Sequence, residues 1–585
     1  MKTIIQNFIY PGLNFQNPED MYLRGCYLLD RSNQTVRIFK GNSTSFDTYF
    51  NALSVYTWKK DCSLDNLYFG IAGEGECIVE LCYRFKDEIP LVLKSFNVKL
   101  KSQKQYFSIE DWSRIESGFL FLRINGLSDC IVTSLEFASD TEVNAQTRLG
   151  IVITHFNRQQ SVSKTIDRIE HTLLNRYPDS NIELIIVDNS SNLNIKTGNS
   201  KITILPSKNL GGAGGFTRGL IYLKERGFTH CCFMDDDASC EVESIRRTFV
   251  YFSYISKDNR RDVAISGTLL KEEEPNIILE AGAIFHRGRW MPTSHNLNVS
   301  SFESLYWLEY ENLRSNYGAW CYFAFDIGNV KHYAYPFFVR GDDIFFSIIN
   351  QFKVKTINGV CTWVDNFVLK DSPLTRYLQF RAMAIIPMLQ GNSSMSRFIK
   401  NFYNWHSDCL HKYNYASAEA IEIAVSDIIG GSRFIEEDVD GAILRKKLKP
   451  LMDLEKLTVR PEEVNFQDPD KKKSYFKEIL RVITVNGLFV PSILFKKNVI
   501  QMKETNGDRR DIFLKKGVYY YNKYSRLGCL VEYNKFESIK RICSRSLLIG
   551  KIVFKYRKFS KDFNQSGRLF TTSSFWNNVF SDSCK

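Results

Sequence analysis

Between Arg148 and Asp237, apolar strands alternate with amphipathic helical stretches, and this alternation restricts the fold more than any other feature. RLGIVITHFNR reads as a strand, QQSVSKTIDRIEHTLLNRYP as a helix and NIELIIVDNSS as a second strand. KITILPSKN supplies a third strand, GFTRGLIYLKERG a helix, and HCCFMDDD a fourth strand with acidic residues at its carboxyl end. Strands joined through helices pair in parallel, because each crossover must return over the sheet. The prediction is a mostly parallel α/β sheet whose ligands bind at the carboxyl ends of its strands.

The flanking regions read differently. Up to about residue 145 the period is two, as in ECIVELCYRF, PLVLKSFNVKL and CIVTSLEFAS, which predicts a β-sandwich or barrel. After about residue 390 helical spacing dominates, with Ile421, Val425 and Ile428 on one face that ends at Gly430 and Gly431. A chain of 585 residues is too long for one core. Three domains are therefore expected, at 1–145, 146–390 and 391–585, the last mainly helical and basic.

A hydrophobic content of 44% is that of a folded protein. No apolar stretch reaches the roughly 18 to 20 residues of a spanning helix, since ILRVITVNGLFVPSILF is broken by Arg481, Asn486 and Pro491. The apolar run in MKTIIQNFIYPG is too short for a secretory leader. Fourteen cysteines without a CxxC pair argue against zinc and a disulfide framework, and favour a reducing cytosol.

Charge is uneven. From Gly441 onwards 31 Lys and Arg oppose 14 Asp and Glu, an excess of +17 against +12 for the whole chain. Such a tail implies an anionic partner, nucleic acid or a membrane face, and no nucleic-acid motif supports the first. With Tyr519, Tyr520, Tyr521 and Phe554 nearby, it predicts peripheral docking on the inner face of the plasma membrane. A homo-oligomer is left open.

Four stretches converge if the sheet is built as read. THFNR offers Thr154, Phe156 and Arg158, and VDNSS offers Asp188 and Asn189 to a nucleobase. NLGGAGGFTRG places Gly211, Gly212, Gly214 and Gly215 between Asn209 and Arg218, a loop without Cβ atoms that backbone amides can bring close to an anionic ligand. Then come Asp235, Asp236 and Asp237. On its own DDD reads equally as a solvated helix cap. At a strand's carboxyl end, its hard oxygen donors suit Mg²⁺ or Mn²⁺ bridging a nucleotide diphosphate. Downstream, Asp342 and Asp343 precede a helix, either as caps or as a pair in which one member, its pKa raised by the other, acts as general base.

In this order, THFNR, VDNSS, NLGGAGGFTRG, MDDD and GDD before a helix resemble the family 2 glycosyltransferases of GT-A fold, and more narrowly the bacterial galactofuranosyltransferases. The resemblance implies an N-terminal β-domain, a GT-A core and a helical C-terminal domain. It implies UDP-galactofuranose as donor, Mn²⁺ or Mg²⁺ as cofactor, inversion at the anomeric carbon, and a lipid-linked cell-surface glycan such as an O-antigen as acceptor. Asp235 and Asp237 match the metal-binding positions of the DXD motif, with Asp236 on the donor between them. Asp343 matches the base, and Trp320 with Glu280 the acceptor site, where Trp290 offers a second flat face. One position departs: Val364 in TWVDNF stands where the family places a metal-binding histidine, leaving Asp365 as a substitute ligand. Another UDP-sugar (galactose, glucose or rhamnose) and a catalytically silent carbohydrate-binding scaffold stay open as alternatives.

Overall fold

The computed structural model describes residues 2–582 apart from 13–16, 63, 87, 196–197, 257–261, 312–313, 366–370, 460–465, 468–474, 504–508 and 522–525. Its central sheet contains seven strands: β1 (Leu149–His155), β2 (Ile182–Asp188), β3 (Ile202–Pro206), β4 (His230–Asp235), β5 (Val263–Ser266), β6 (Tyr322–Asp326) and β7 (Lys353–Lys355). They lie in the order β3-β2-β1-β4-β6-β5-β7. The first four are parallel, β6 runs antiparallel to both neighbours, and β5 and β7 pair in parallel. Ile151, Val152 and Ile153 are all fully buried, as a strand covered on both faces requires.

Register positions the site. Thr154 pairs with Asp235 across β1 and β4, and His155 with Asp188 across β1 and β2. The carboxyl ends of three strands thus share one edge. Because β6 is antiparallel and begins opposite Met234, Cys321 arrives beside Asp235. A smaller sheet of Ile278–Glu280, Thr268–Lys271 and Cys361–Val364, and a hairpin of Ala283–His286 with Arg289–Pro292, flank this edge.

Residues 3–139 form two antiparallel six-stranded sheets. Their interior is continuous with one face of the central sheet: Ile38, Phe50, Val79 and Leu122 belong to the same apolar core as Ile245, Tyr251, Ile265 and Trp363. The helix Val242–Tyr254 is wedged between the two layers. Its buried Arg247 donates to the carbonyls of Asn7 (2.9 Å) and Phe50 (2.7 Å), and Glu243 accepts from the amide of Asn7 (2.8 Å).

Beyond the central sheet, helices Pro373–Leu389, Met395–His411, Tyr415–Gly430, Ala442–Leu454 and Lys535–Leu569 pack through Phe402, Ile421, Val425, Ile552 and Phe563. The expectation of a mainly helical region omitted a five-stranded sheet between Thr458 and Glu532. The run GVYYY lies in one of its strands, Lys515–Tyr521, because consecutive aromatics fit a pleated surface. Tyr519 and Tyr520 are consequently buried, with the Tyr520 hydroxyl donating to the Lys412 carbonyl at 2.9 Å. They cannot reach a headgroup layer, whereas Phe554 is 90% exposed.

Candidate active site

Of the three aspartates at the end of β4, two share Arg158 and the third meets Cys321. Asp236 turns inward, accepting from the Phe156 amide (3.1 Å) and from Arg158 Nη1 (2.8 Å). Arg158 also reaches Asp237 Oδ2 at 2.6 Å. Asp235 Oδ2 accepts from the Cys321 thiol at 3.2 Å. The run is not a helix cap, since the next helix starts at Val242 with Glu241 as its N-cap. Asp236 anchors the β1 loop, and its neighbours stand on either side of it. Phe156, placed beside them by that loop, is half-exposed.

At the end of β2, burial works to raise the Asp188 carboxyl, but the Leu193 amide and the Ser190 amide and hydroxyl hold it below its ordinary range. Asn189 Nδ2 donates to the Gly211 carbonyl at 3.4 Å, while its buried Oδ1 has no hydrogen-bond partner. Asn209 Oδ1 accepts from the Gly211 amide at 3.1 Å.

The glycine-rich stretch is not a loop. A helix already begins at Gly211 and runs to Glu225, and the glycines let it nest against the protein's own atoms. A Cβ at Gly211, where φ is +66°, would lie 2.1 Å from the Phe338 carbonyl oxygen. At Gly214 it would meet Leu210, at Gly215 it would come within 2.6 Å of Thr154 Cγ2, and at Gly212 within 3.1 Å of Asp342 Oδ2. Arg218, expected on the donor, instead stacks its guanidinium over Phe580, 5.3 Å from the ring centre.

The second acidic pair follows a turn in which Phe338, Arg340 and Gly341 all have positive φ, of 66°, 70° and 93°. Two non-glycine residues in that region store backbone strain, and such strain clusters at functional sites. The helix Asp342–Ile349 that follows is clamped between two cores, Ile344 and Phe345 on one side and Phe346 on the other. Asp342 is buried, and burial followed by the Asp343 charge raises its carboxyl well above the ordinary range. Asp343 is half-buried and accepts from the Ile344 amide at 2.8 Å. Burial raises it to about 6, against the lowering effects of that amide and of Arg340.

Glu280, at the end of the small sheet, is brought next to this pair. Burial first and the Asp343 charge second push its carboxyl up to about 8, and Trp290 Nε1 donates to its Oε2 at 3.0 Å. The Cys321 thiol is raised by burial and then by Asp235, with Asp237 and Asp343 adding to the effect. The first turns of the helix Gly211–Glu225 link the two acidic clusters, since Gly212 lies against Asp342 and Gly215 against Thr154, which pairs with Asp235. The Trp320 ring is buried in T-shaped contacts with Phe216 (5.1 Å), Phe233 (4.9 Å) and Phe346 (5.5 Å), and it presents no flat face to an acceptor.

Asp235 and Asp237 supply the oxygen donors a divalent cation takes, and Arg158 provides the positive charge now paired with Asp237. Val364 is buried among Ala238, Leu269 and Cys321 and contributes no ligand. Asp365 is exposed and shares a hydrogen bond with Glu272, whose carboxyl partial burial raises, then Asp365 and, more weakly, Asp237. Among the described residues no group of three or more His, Cys, Asp or Glu side chains is arranged to hold one ion. The sequence reading missed Cys321 and Glu272. The signal for Cys321 lies in the antiparallel placement of β6 beside β4, which alternation of strands and helices does not reveal.

Residues 150–279 match the model of glycosyl transferase family 2. Among curated proteins, the chain is similar to galactofuranosyltransferase GlfT2 of Mycolicibacterium smegmatis, 20% identical over 423 residues that cover 67% of this chain and 64% of that protein. It is similar to GlfT2 of Mycobacterium tuberculosis at 20% identity over 450 residues, 70% of this chain and 68% of that one. The chain spans about two thirds of the length of these relatives. Among solved structures, a mannosyltransferase from Pyrobaculum calidifontis in complex with GDP-Man and Mn²⁺ aligns with 54% of this chain and 86% of its own at 14% identity. The TM-score of that alignment is 0.28.

Proposed function

We propose that this chain, which carries a family 2 glycosyl transferase domain, is an inverting transferase that moves galactofuranose from UDP-galactofuranose to a hydroxyl of a lipid-linked glycan. The observation that supports the reading is that the Asp343 charge acts both on Glu280, which accepts from Trp290, and on Cys321, which donates to Asp235. A base so placed takes the proton of an acceptor hydroxyl held near Trp290, while the donor lies along the edge formed by Thr154, Asn189 and Asp235. Asn189 Oδ1, buried and unpaired, is an acceptor free for a nucleobase N–H. The similarity to galactofuranosyltransferases supports the sugar.

In this reading Asp235 and Asp237 hold a divalent cation, with Asp365 or Glu272 available near Asp237. Such a cation, when bound, offsets charge on the departing UDP. Arg158 then keeps Asp236 and withdraws from Asp237. Glu280, protonated at neutral pH, orients Trp290 without placing a second negative charge beside the base.

The test is UDP release from a panel of UDP-sugars with Mn²⁺, Mg²⁺ or excess chelator. UDP-galactofuranose is expected to turn over fastest and chelation to stop the reaction. Asp235→Ala and Asp237→Ala are expected to abolish turnover while leaving the melting temperature nearly unchanged. Preference for UDP-galactose, UDP-glucose or a UDP-rhamnose would keep the chemistry and replace the sugar. Full activity in chelator, or in both variants, would remove the cation from the mechanism.

A further inference from the structure

The helix Tyr475–Ile483 is built inside out. Of its charged residues, Arg481 is buried, paired with Glu478 at 2.6 Å and set 3.3 Å from His411 at the end of the helix Met395–His411. Its apolar residues Tyr475, Phe476, Ile479, Val482 and Ile483, one face by their spacing, are between 43% and 80% exposed. The chain that follows continues the pattern, with Phe489, Ile493 and Leu494 at 73%, 89% and 63% exposure. A surface helix normally turns its apolar face to the core, and contiguous exposed apolar surface of this kind marks an interaction site.

We infer that residues 475–494 are the element that inserts into an anionic lipid surface. Charge identifies the partner. In the sequence this stretch is bracketed by Lys471, Lys472 and Lys473 on one side and Lys496 and Lys497 on the other, within a region carrying an excess of +17. Basic residues flanking an apolar amphipathic face suit acyl chains beneath anionic headgroups. A second copy of the chain suits it less, because a two-fold contact sets the patch against itself and opposes its own lysines. No helix among the described residues is long and apolar enough to cross a membrane, so attachment of this kind is interfacial.

The inference does not depend on donor or acceptor, and its test uses neither. The full chain is co-sedimented with phosphatidylcholine vesicles with and without phosphatidylglycerol, over a range of salt. Binding is expected to require phosphatidylglycerol, to weaken as salt rises, and to fall about tenfold or more in a Phe476→Ser, Ile483→Ser, Phe489→Ser variant. Ile89→Ser, which alters a side chain 91% exposed elsewhere, is expected to bind like the parent. As a check independent of the triple variant's folding, the fluorescence of a Phe476→Trp variant is expected to shift to the blue on vesicle binding and to be quenched by brominated lipid. Unchanged binding in the triple variant, no binding to anionic vesicles, or a Phe476→Trp spectrum unmoved by them would overturn the inference. So would a concentration-dependent dimer that the triple variant dissolves.

Discussion

With its carboxyl raised to about 6, Asp343 is ionised at neutral pH and still basic enough to accept a proton. The rate kcat/KM is therefore expected to fall below about pH 6, as protonation removes the base. Asp343→Asn is expected to slow transfer about 10²- to 10⁴-fold and to abolish that acid limb, with UDP affinity retained. Glu280 makes a different prediction. Its carboxyl sits at about 8 in the folded protein and near its ordinary value when unfolded, so folding favours the proton. Stability is complete below the unfolded value and declines as pH rises through about 8. Glu280→Gln is expected to melt at nearly the parent temperature at pH 5 and several degrees higher at pH 8.5, a gain of a few kcal/mol by the usual ~1.4 kcal/mol per pH unit. A gap independent of pH would mean the carboxyl is not buried in the way described. At this scale the sequence was legible where the alternation of strands and helices assigns a residue to a strand end, as for Asp235. It was not legible for Trp320 and Arg218, because neighbouring positions do not say which face a side chain takes, and that face was set by Phe233 and by Phe580.

Among the elements, the helix Gly211–Glu225 shows a tertiary contact overriding local preference. Glycine disfavours helix, which made GGAGG read as a loop, yet only glycine lets this first turn approach Phe338, Thr154 and Asp342 so closely. Gly211→Ala combines a positive φ with a clash against backbone, so it is expected to lose about 2 kcal/mol or more, read from the urea midpoint. Gly198→Ala, in open space and without positive φ, is expected to leave the midpoint near the parent's. The parallel strands β1 to β4 were legible because long apolar runs separated by amphipathic helices admit few other arrangements. The strands between Thr458 and Glu532 were hidden because two of them, Thr458–Val459 and Phe466–Gln467, are only two residues long and Lys515–Tyr521 carries the unbroken run VYYY, which shows no two-residue period.

Across the whole molecule, the two N-terminal sheets and one face of the central sheet fold around shared apolar contacts. Arg247 is the polar counterpart of that union, reaching two N-terminal carbonyls from the helix Val242–Tyr254. Arg247→Met is expected to cost about 2 to 4 kcal/mol, since it strands those carbonyls and Glu243 away from water. Residues 3–139 and the central sheet are expected to unfold in one calorimetric transition. Two separate transitions would show that the contact is adhesive only.

The wedged helix Val242–Tyr254 also limits how the molecule can be cut or recombined. Its inward side chains serve the catalytic sheet while Arg247 and Glu243 grip the strands ahead of it, so the boundary near residue 145 is a change of architecture and not a place to sever. A fragment starting at Arg148 would expose Trp363 and Phe302, the ring partners of Phe50, Phe119 and Phe121, to solvent, and is expected to be recovered as aggregate. Donor and acceptor preferences are accordingly expected to travel between related proteins only when the N-terminal sheets, the central sheet and the helices packed on Ile344 and Phe345 move together, and not with the strand-and-helix segment alone.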